Sequence, residues 1–285
     1  MVNWRRTKFV IFFISIVLCL FSCQQKQEEA KPNILFIISD DQSFIHTSIS
    51  GSNFINTPAF DKIASEGILF TNAIAASPGC SPSRAAILTG KYPWQIDEAG
   101  THASSFPTKF KVFPDILEDA GYKVGFTGKG WAPGDYEVSG RKRNPAGDEY
   151  SKIQLIPPYE FISTNDYSEN FKEFYNKKNK NQPFYFWMGF NEPHRDFEKG
   201  SWKKEGKNID DVDVPLFLPD VPEIRKDILD YAVEIEWFDK QVQKTLEFIE
   251  EKGELDNTII VITSDNGMAF PRAKANCFEF GVHVP

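Results

Sequence analysis

Histidine and cysteine are scarce in this chain, each occurring four times in 285 residues. The histidine-plus-thiolate spacing of a zinc centre is absent, which argues against zinc. A cationic excess is lacking too. The formal net charge is -8 at pH 7, and the three cations near the N-terminus contribute to even that balance. Such a chain is poorly suited to broad electrostatic binding of nucleic acid or another polyanion. An anionic ligand would need its positive partners concentrated in one pocket. No internal repeat is visible, which sets aside solenoid and propeller architectures.

The longest apolar run, Phe9 to Phe21 (FVIFFISIVLCLF), is too short to span a bilayer comfortably as a helix. Preceded by Arg5, Arg6 and Lys8, it has the layout of a secretory signal. It ends in Leu20-Phe21-Ser22-Cys23, which resembles a bacterial lipobox. Residues 1–22 are therefore expected to be a lipoprotein signal peptide, with a plain signal or anchor helix as the alternative. Lipid on Cys23 would tie the protein to a membrane of the bacterial cell envelope, facing the periplasm or the outer-membrane surface. Residues 23–32 read as a polar tether, and residues 33–285 as the folded domain. Past Cys19 and Cys23 only Cys80 and Cys277 remain, and in an oxidising compartment these two could pair.

What is present is a succession of short apolar, β-branched runs alternating with helical patterns. Asn33 to Ser39, Pro183 to Phe190 and Thr258 to Thr263 read as strands buried on both faces, and Tyr122 to Thr127 as a further strand. Helices are expected over Thr57 to Gly67, capped by Thr57, over "AAILTG" closed by Gly90, over Val112 to Gly121, and over Glu223 to Lys252. Residues Trp131 to Tyr167 lack periodicity and read as a long surface loop. The fold class is α/β, with a mostly parallel central sheet and helices on both faces. In such folds ligands bind beyond the carboxyl ends of the strands. That is where Asp40-Asp41, "NEPHR" and "SDNG" stand, each directly after a strand. Asp40, Asp41, Asp265 and Asn266 form an all-oxygen set suited to a hard divalent cation. The Phe-rich aromatic content is read as core packing, with Trp131 at the pocket wall, and His46 and His283 as structural.

"CSPSR" followed by "AAILTG" resembles the C-x-P-S-R signature of the type I sulfatases, in which the cysteine is oxidised to formylglycine (3-oxoalanine). "PNILFIISDD", "TGKG" and "ITSDNG" follow in that family's order, so the resemblance runs from Lys31 to Pro285. Within it, "EAGTHASSFP", "NEPHR", "VDVPLFLPDVPEIRKD" and "FPRAKAN" look like the branch containing the heparan N-sulfatases (sulfamidases) and related bacterial enzymes. The resemblance implies an alkaline-phosphatase-like fold. It implies a Ca²⁺ (Mg²⁺ less so) bound by Asp40, Asp41, Asp265, Asn266 and an oxygen of residue 80. Cys80 would be the formylglycine precursor, read with Pro82 and Arg84 by a formylglycine-generating or anaerobic sulfatase-maturing enzyme. Arg84 and Lys129 would hold the hydrated aldehyde, His194 would protonate the leaving atom, and Lys274 would grip the sulfate. His102, Glu192 and Arg195 stand where the branch places substrate contacts.

The implied activity is removal of sulfate from sulfated glycans, with N-sulfoglucosamine as the first substrate considered and O-sulfate esters of other polysaccharides next. Two departures stand out. The histidine that many members carry after the Gly-Lys motif is missing, since Lys129 is followed by Gly130-Trp131. The smaller C-terminal subdomain of the family is also expected to be missing. A phosphatase or phosphodiesterase of the same superfamily would need several His ligands, and a glycan-binding surface lipoprotein without turnover is the non-enzymatic reading.

Overall fold

Asn33–Ser39 forms strand β1, whose seven residues carry apolar side chains everywhere except at the two ends. The chain continues through α1 (Pro58–Glu66), β2 (Ala73–Ile74), α2 (Cys80–Thr89), α3 (Phe113–Asp119), β3 (Lys123–Gly128), α4 (Tyr167–Asn176) and β4 (Phe184–Gly189). It then forms α5 (Ser201–Lys204), α6 (Pro222–Glu251), β5 (Thr258–Ser264), α7 (Glu279–Val282) and β6 (His283–Val284). This is a computed structural model that describes residues 30–285, and Pro32–Pro285 make one unit. The expected signal peptide and most of the tether lie outside the described residues.

β3, β4, β1 and β5 lie side by side in that order, all parallel, so the expected parallel α/β sheet is present. Period-2 alternation sends Leu35 and Ile37 to one face, where they meet α4, α6 and Ala59 of α1. Ile34, Phe36 and Ile38 point to the other face, against α2, α3 and Trp131. Phe171, Phe174, Phe184, Phe186 and Phe190 fill the first face as a wholly buried phenylalanine cluster. Truncating one of them, Phe171→Ala for example, removes packing worth roughly 3–5 kcal/mol.

Four expectations are corrected. β5 is an edge strand rather than a buried one: Ile260 and Ile262 pack on the core, while Ile259 is 51% and Val261 37% exposed. Residues 131–167 are not purely a surface loop, because Trp131 and Ala146 are buried in the second core. Trp131 therefore lines no pocket; its indole N–H donates to the Ser81 carbonyl at 3.1 Å. Thr57 does not cap α1. Its hydroxyl is taken by the Ser48 N–H at 2.9 Å, and the free N–H groups of Ala59 and Phe60 are met by the Asp239 carboxylate of α6, both at 2.9 Å. Reading along the chain could not find a cap supplied from so far away.

An apolar groove of about 620 Å³ runs beside β5, lined by Ile68, Phe70, Ile74 and Ile87 among others. Ile68 is 80% and Phe70 72% exposed.

Candidate active site

Helix α2 begins at Cys80 itself, so the polar motif is its first turn rather than a prelude to it. Gly79, in extended conformation, precedes the helix, and the Ser83 N–H closes the first turn onto the Gly79 carbonyl at 3.1 Å. Pro82 is tolerated because the first N–H groups of a helix have no intrahelical partner anyway. Gly90, with φ 64°, ends the helix in the left-handed region that glycine favours. All five residues from Cys80 to Arg84 are buried. Burying so many polar groups costs stability unless each finds a partner.

Those partners come from the carboxyl ends of β1 and β5. The Cys80 Sγ lies 3.2 Å from Asp40 Oδ1 and 3.8 Å from Asp41 Oδ1. One ligand atom from each of Asp40, Asp41, Cys80 and Asp265 falls within 4.8 Å of the others. Asp41 adopts a positive φ of 70°, a backbone region that Asp tolerates better than most residues. Its N–H donates to Asp265 Oδ1 at 3.1 Å, locking the two strand ends together. The Asn266 amide donates to Asp41 Oδ1 at 2.8 Å, while its own Oδ1 is buried without a partner among the described residues.

Cations surround this cluster. Arg84 Nε pairs with Asp265 at 2.7 Å with both side chains fully buried, and its Nη2 has no partner among the described residues. Lys129 pairs with Asp40, and Lys274 with Asp41 at 2.6 Å. His194 Nε2 lies 3.8 Å from Asp41, its Nδ1 being 2.5 Å from the Arg195 carbonyl. Lys129 is set by a close crossing of backbones. A Cβ on Gly128 would come within 2.2 Å of the Gly189 carbonyl oxygen, and one on Gly189 within 1.9 Å of the Lys129 carbonyl oxygen. Only glycine fits at either position.

The electrostatics divide the carboxylates. Burial works to raise the proton affinity of Asp40, but Lys129, Arg84 and His194 overcome it and hold the group well below the usual carboxylate range. Burial, then Asp40 and Asp265, push Asp41 up to about 7 against Lys274. Asp265 is raised by burial and Asp40, with Arg84 and Lys129 opposing. The Cys80 thiol is driven far upward by burial, then by Asp265 and Asp40. As a thiol, residue 80 is a poor nucleophile. Three mutually repelling carboxylates and an unpartnered amide oxygen are the donors a hard divalent cation takes, so the residues fit the expected metal.

Cys80, Lys129, His194, Lys274 and the exposed His102 border one cleft of about 680 Å³. Two expected substrate contacts are engaged by other parts of the protein. Glu192 is buried, accepting from Ser163 N–H at 2.7 Å and the Tyr167 hydroxyl at 2.8 Å, while its carbonyl takes the Asp40 N–H. Arg195 forms a bidentate pair with Asp227 at 2.9 and 2.7 Å, and its guanidinium lies 4.6 Å from the ring centres of both Phe197 and Phe270. The Cys80–Cys277 pairing is also set aside, both cysteines being free. His46 and His283 are buried and structural: His46 packs edge-on to Tyr231, and His283 stacks on Phe44. Glu149, Ser151, Gln154 and Asn191 also line the cleft; the first three lie in the aperiodic stretch and offered no sequence signal, whereas Asn191 opens "NEPHR" but was given no role of its own.

The family model "Sulfatase" matches residues 32–285. The chain is 28% identical to human N-sulphoglucosamine sulphohydrolase over 90% of its length and 55% of that protein. It is 34% identical to N-acetylglucosamine-6-O-sulfatase of Bacteroides thetaiotaomicron over 63% of this chain and 34% of that one. It thus spans about half, or less, of the length of these curated relatives. Among solved structures, the sulfatase-family protein yidJ from Bacteroides fragilis superposes with a TM-score of 0.70 at 25% identity, over 92% of this chain and 69% of that one. The phosphonate monoester hydrolase of Agrobacterium radiobacter, at 17% identity and TM-score 0.67 over 90% and 67%, shares the fold. With the signature motif at the foot of a helix, the acidic strand ends facing it and a family match over nearly the whole chain, the protein belongs to the sulfatase family.

Proposed function

We propose that this chain hydrolyses sulfate from sulfated saccharides, using a formylglycine made from Cys80 and a Ca²⁺ held by Asp40, Asp41, Asp265 and Asn266. The observation that carries the reading is the placement of Cys80: a buried, protonated thiol at the first residue of α2, within 3.2 Å of a metal-type carboxylate. A thiol there has no chemistry of its own to offer, whereas the site around it is furnished for an oxyanion.

When present, formylglycine supplies a hydrated aldehyde whose two hydroxyls serve as nucleophile and exit route, and the cation neutralises the sulfate oxygens. The chain's own residues do the rest. Lys129 and Lys274 bring fixed positive charge to the cleft, where a desolvated anion gains most from it. Arg84, with Nη2 unspent among the described residues, stands four residues, about one turn, beyond residue 80 on the same helix. His194 stands at the rim, half exposed, with Nδ1 held by a carbonyl, so Nε2 is the nitrogen that meets the leaving atom. Burial lowers its affinity for a proton, which suits a donor that must release one.

N-sulfoglucosamine is the first candidate substrate, supported by the likeness to human N-sulphoglucosamine sulphohydrolase. An O-sulfate ester is the second, supported by the likeness to the Bacteroides 6-O-sulfatase. The maturing enzyme, lipid on Cys23 and a place in the bacterial envelope complete the proposal; among the described residues no helix is long and apolar enough to cross a membrane. Incubation of matured protein with N-sulfoglucosamine and with 6-O-sulfated N-acetylglucosamine tests it. Sulfate release from either, lost in Cys80→Ala, is expected; none from either refutes it.

A further inference from the structure

The cleft is chemically lopsided. Lys129, Lys274 and His194 gather at the acidic cluster beside Cys80, and among the described residues Glu149 is the only carboxylate lining the cleft. Glu149 is exposed, and among the described residues it makes no ion pair, in contrast to its neighbour Asp148, which Arg143 engages at 3.1 Å. It is nonetheless held on a rigid support. The segment bearing it runs parallel to β3, with Phe126 N–H donating to the Asp148 carbonyl at 2.8 Å and Tyr150 N–H to the Phe126 carbonyl at 2.7 Å. One residue further on, the Ser151 hydroxyl accepts the Gly128 N–H at 3.0 Å, next to Lys129. A carboxylate carried on backbone fixed in this way, with its own oxygens unengaged by any ion pair among the described residues, is an available acceptor for hydroxyl or ammonium groups and a standing repulsion for a second anion.

We propose that Glu149 is a specificity-determining residue: it selects saccharides that carry a single sulfate and present hydroxyls or an amine at the opposite edge. It rejects those with a further sulfate or a carboxylate there. This rests on the sulfatase reading and deepens it by naming the substrate class. An exposed carboxylate facing a second like charge at contact distance opposes it, weakly in water and more strongly where the bound ligand displaces water. The discrimination is therefore on the order of tenfold, and salt screens it.

The test compares kcat/KM for glucosamine carrying an N-sulfate alone with that for glucosamine carrying N- and 6-O-sulfates, in matured wild type and Glu149→Gln. The wild type is expected to favour the singly sulfated sugar by about tenfold at low salt, the preference narrowing at about 0.5 M NaCl. In Glu149→Gln the ratio should fall towards one at both salt concentrations. An unchanged ratio in the variant overturns the proposal. If the wild type releases sulfate from neither sugar, the sulfatase reading fails separately. Calorimetric dissociation constants for the same two sugars on the unmatured protein then decide the role of Glu149 by the same ratio. Absence of binding overturns it.

Discussion

Asp41 is the member of the carboxylate cluster whose charge is least settled. Its raised proton affinity, near pH 7, comes from burial beside Asp40 and Asp265, and a divalent cation must displace that proton to bind. Calcium is therefore expected to stabilise the protein more at pH 8 than at pH 5.5, by up to about 2.7 kcal/mol at a hundredfold excess over Kd, read as a larger rise in melting temperature. Equal shifts at the two pH values would contradict the assignment. Arg84 is held differently, by a fully buried pair with Asp265. Arg84→Ala leaves that carboxylate unpaired, and a loss of roughly 3–5 kcal/mol is expected from denaturant midpoints. The acidic strand ends, Cys80, Arg84, Lys129, His194 and Lys274 were legible because local motifs carry them. The partners of Glu192 and Arg195, namely Ser163, Tyr167 and Asp227, were not legible because they come from other segments. Nothing in "NEPHR" announces which of its polar side chains turn inward.

Helix α6 illustrates the same boundary at the next scale. Its apolar periodicity predicted Glu223 to Lys252, and the helix spans Pro222–Glu251; the strands and α3 were legible in the same way. The periodicity did not reveal that acids on its buried side act across the fold. Asp239 caps α1, and Asp239→Ala is expected to cost about 2 kcal/mol, read from the denaturant midpoint. Glu234 is a burden instead. Burial, then Glu192, raise it to about 9 against the pull of Arg195, and its Oε1 has no partner among the described residues. The folded state thus keeps a proton that the unfolded chain has lost. The contribution of this group to stability is full below its ordinary value of 4.5 and declines as pH rises towards about 9. Glu234→Gln should flatten that decline, gaining stability over wild type at pH 9 but little at pH 5. Parallel stability curves would show that the carboxyl ionises freely.

Across the whole molecule, the exposed face of β5 and the groove lined by Ile68, Phe70 and Ile74 are the most apolar open surface described. Contiguous patches of that kind bind apolar probes and favour association. An environment-sensitive dye should bind the native protein, and Ile68→Ser with Phe70→Ser should reduce its signal without altering the cleft. β5 read as a doubly buried strand because its residues alternate no polarity; exposure of one face depends on what lies beside it, which a single strand does not encode. The central claim is that Cys80 is raw material for an aldehyde rather than a working thiol. Its most direct test is the mass of the peptide containing residue 80, taken from protein made with a sulfatase-maturing enzyme, alongside sulfate release by the same sample. Replacement of the thiol by an aldehyde, with activity proportional to the converted fraction, is the result expected. An unmodified cysteine in a preparation that still releases sulfate would contradict it.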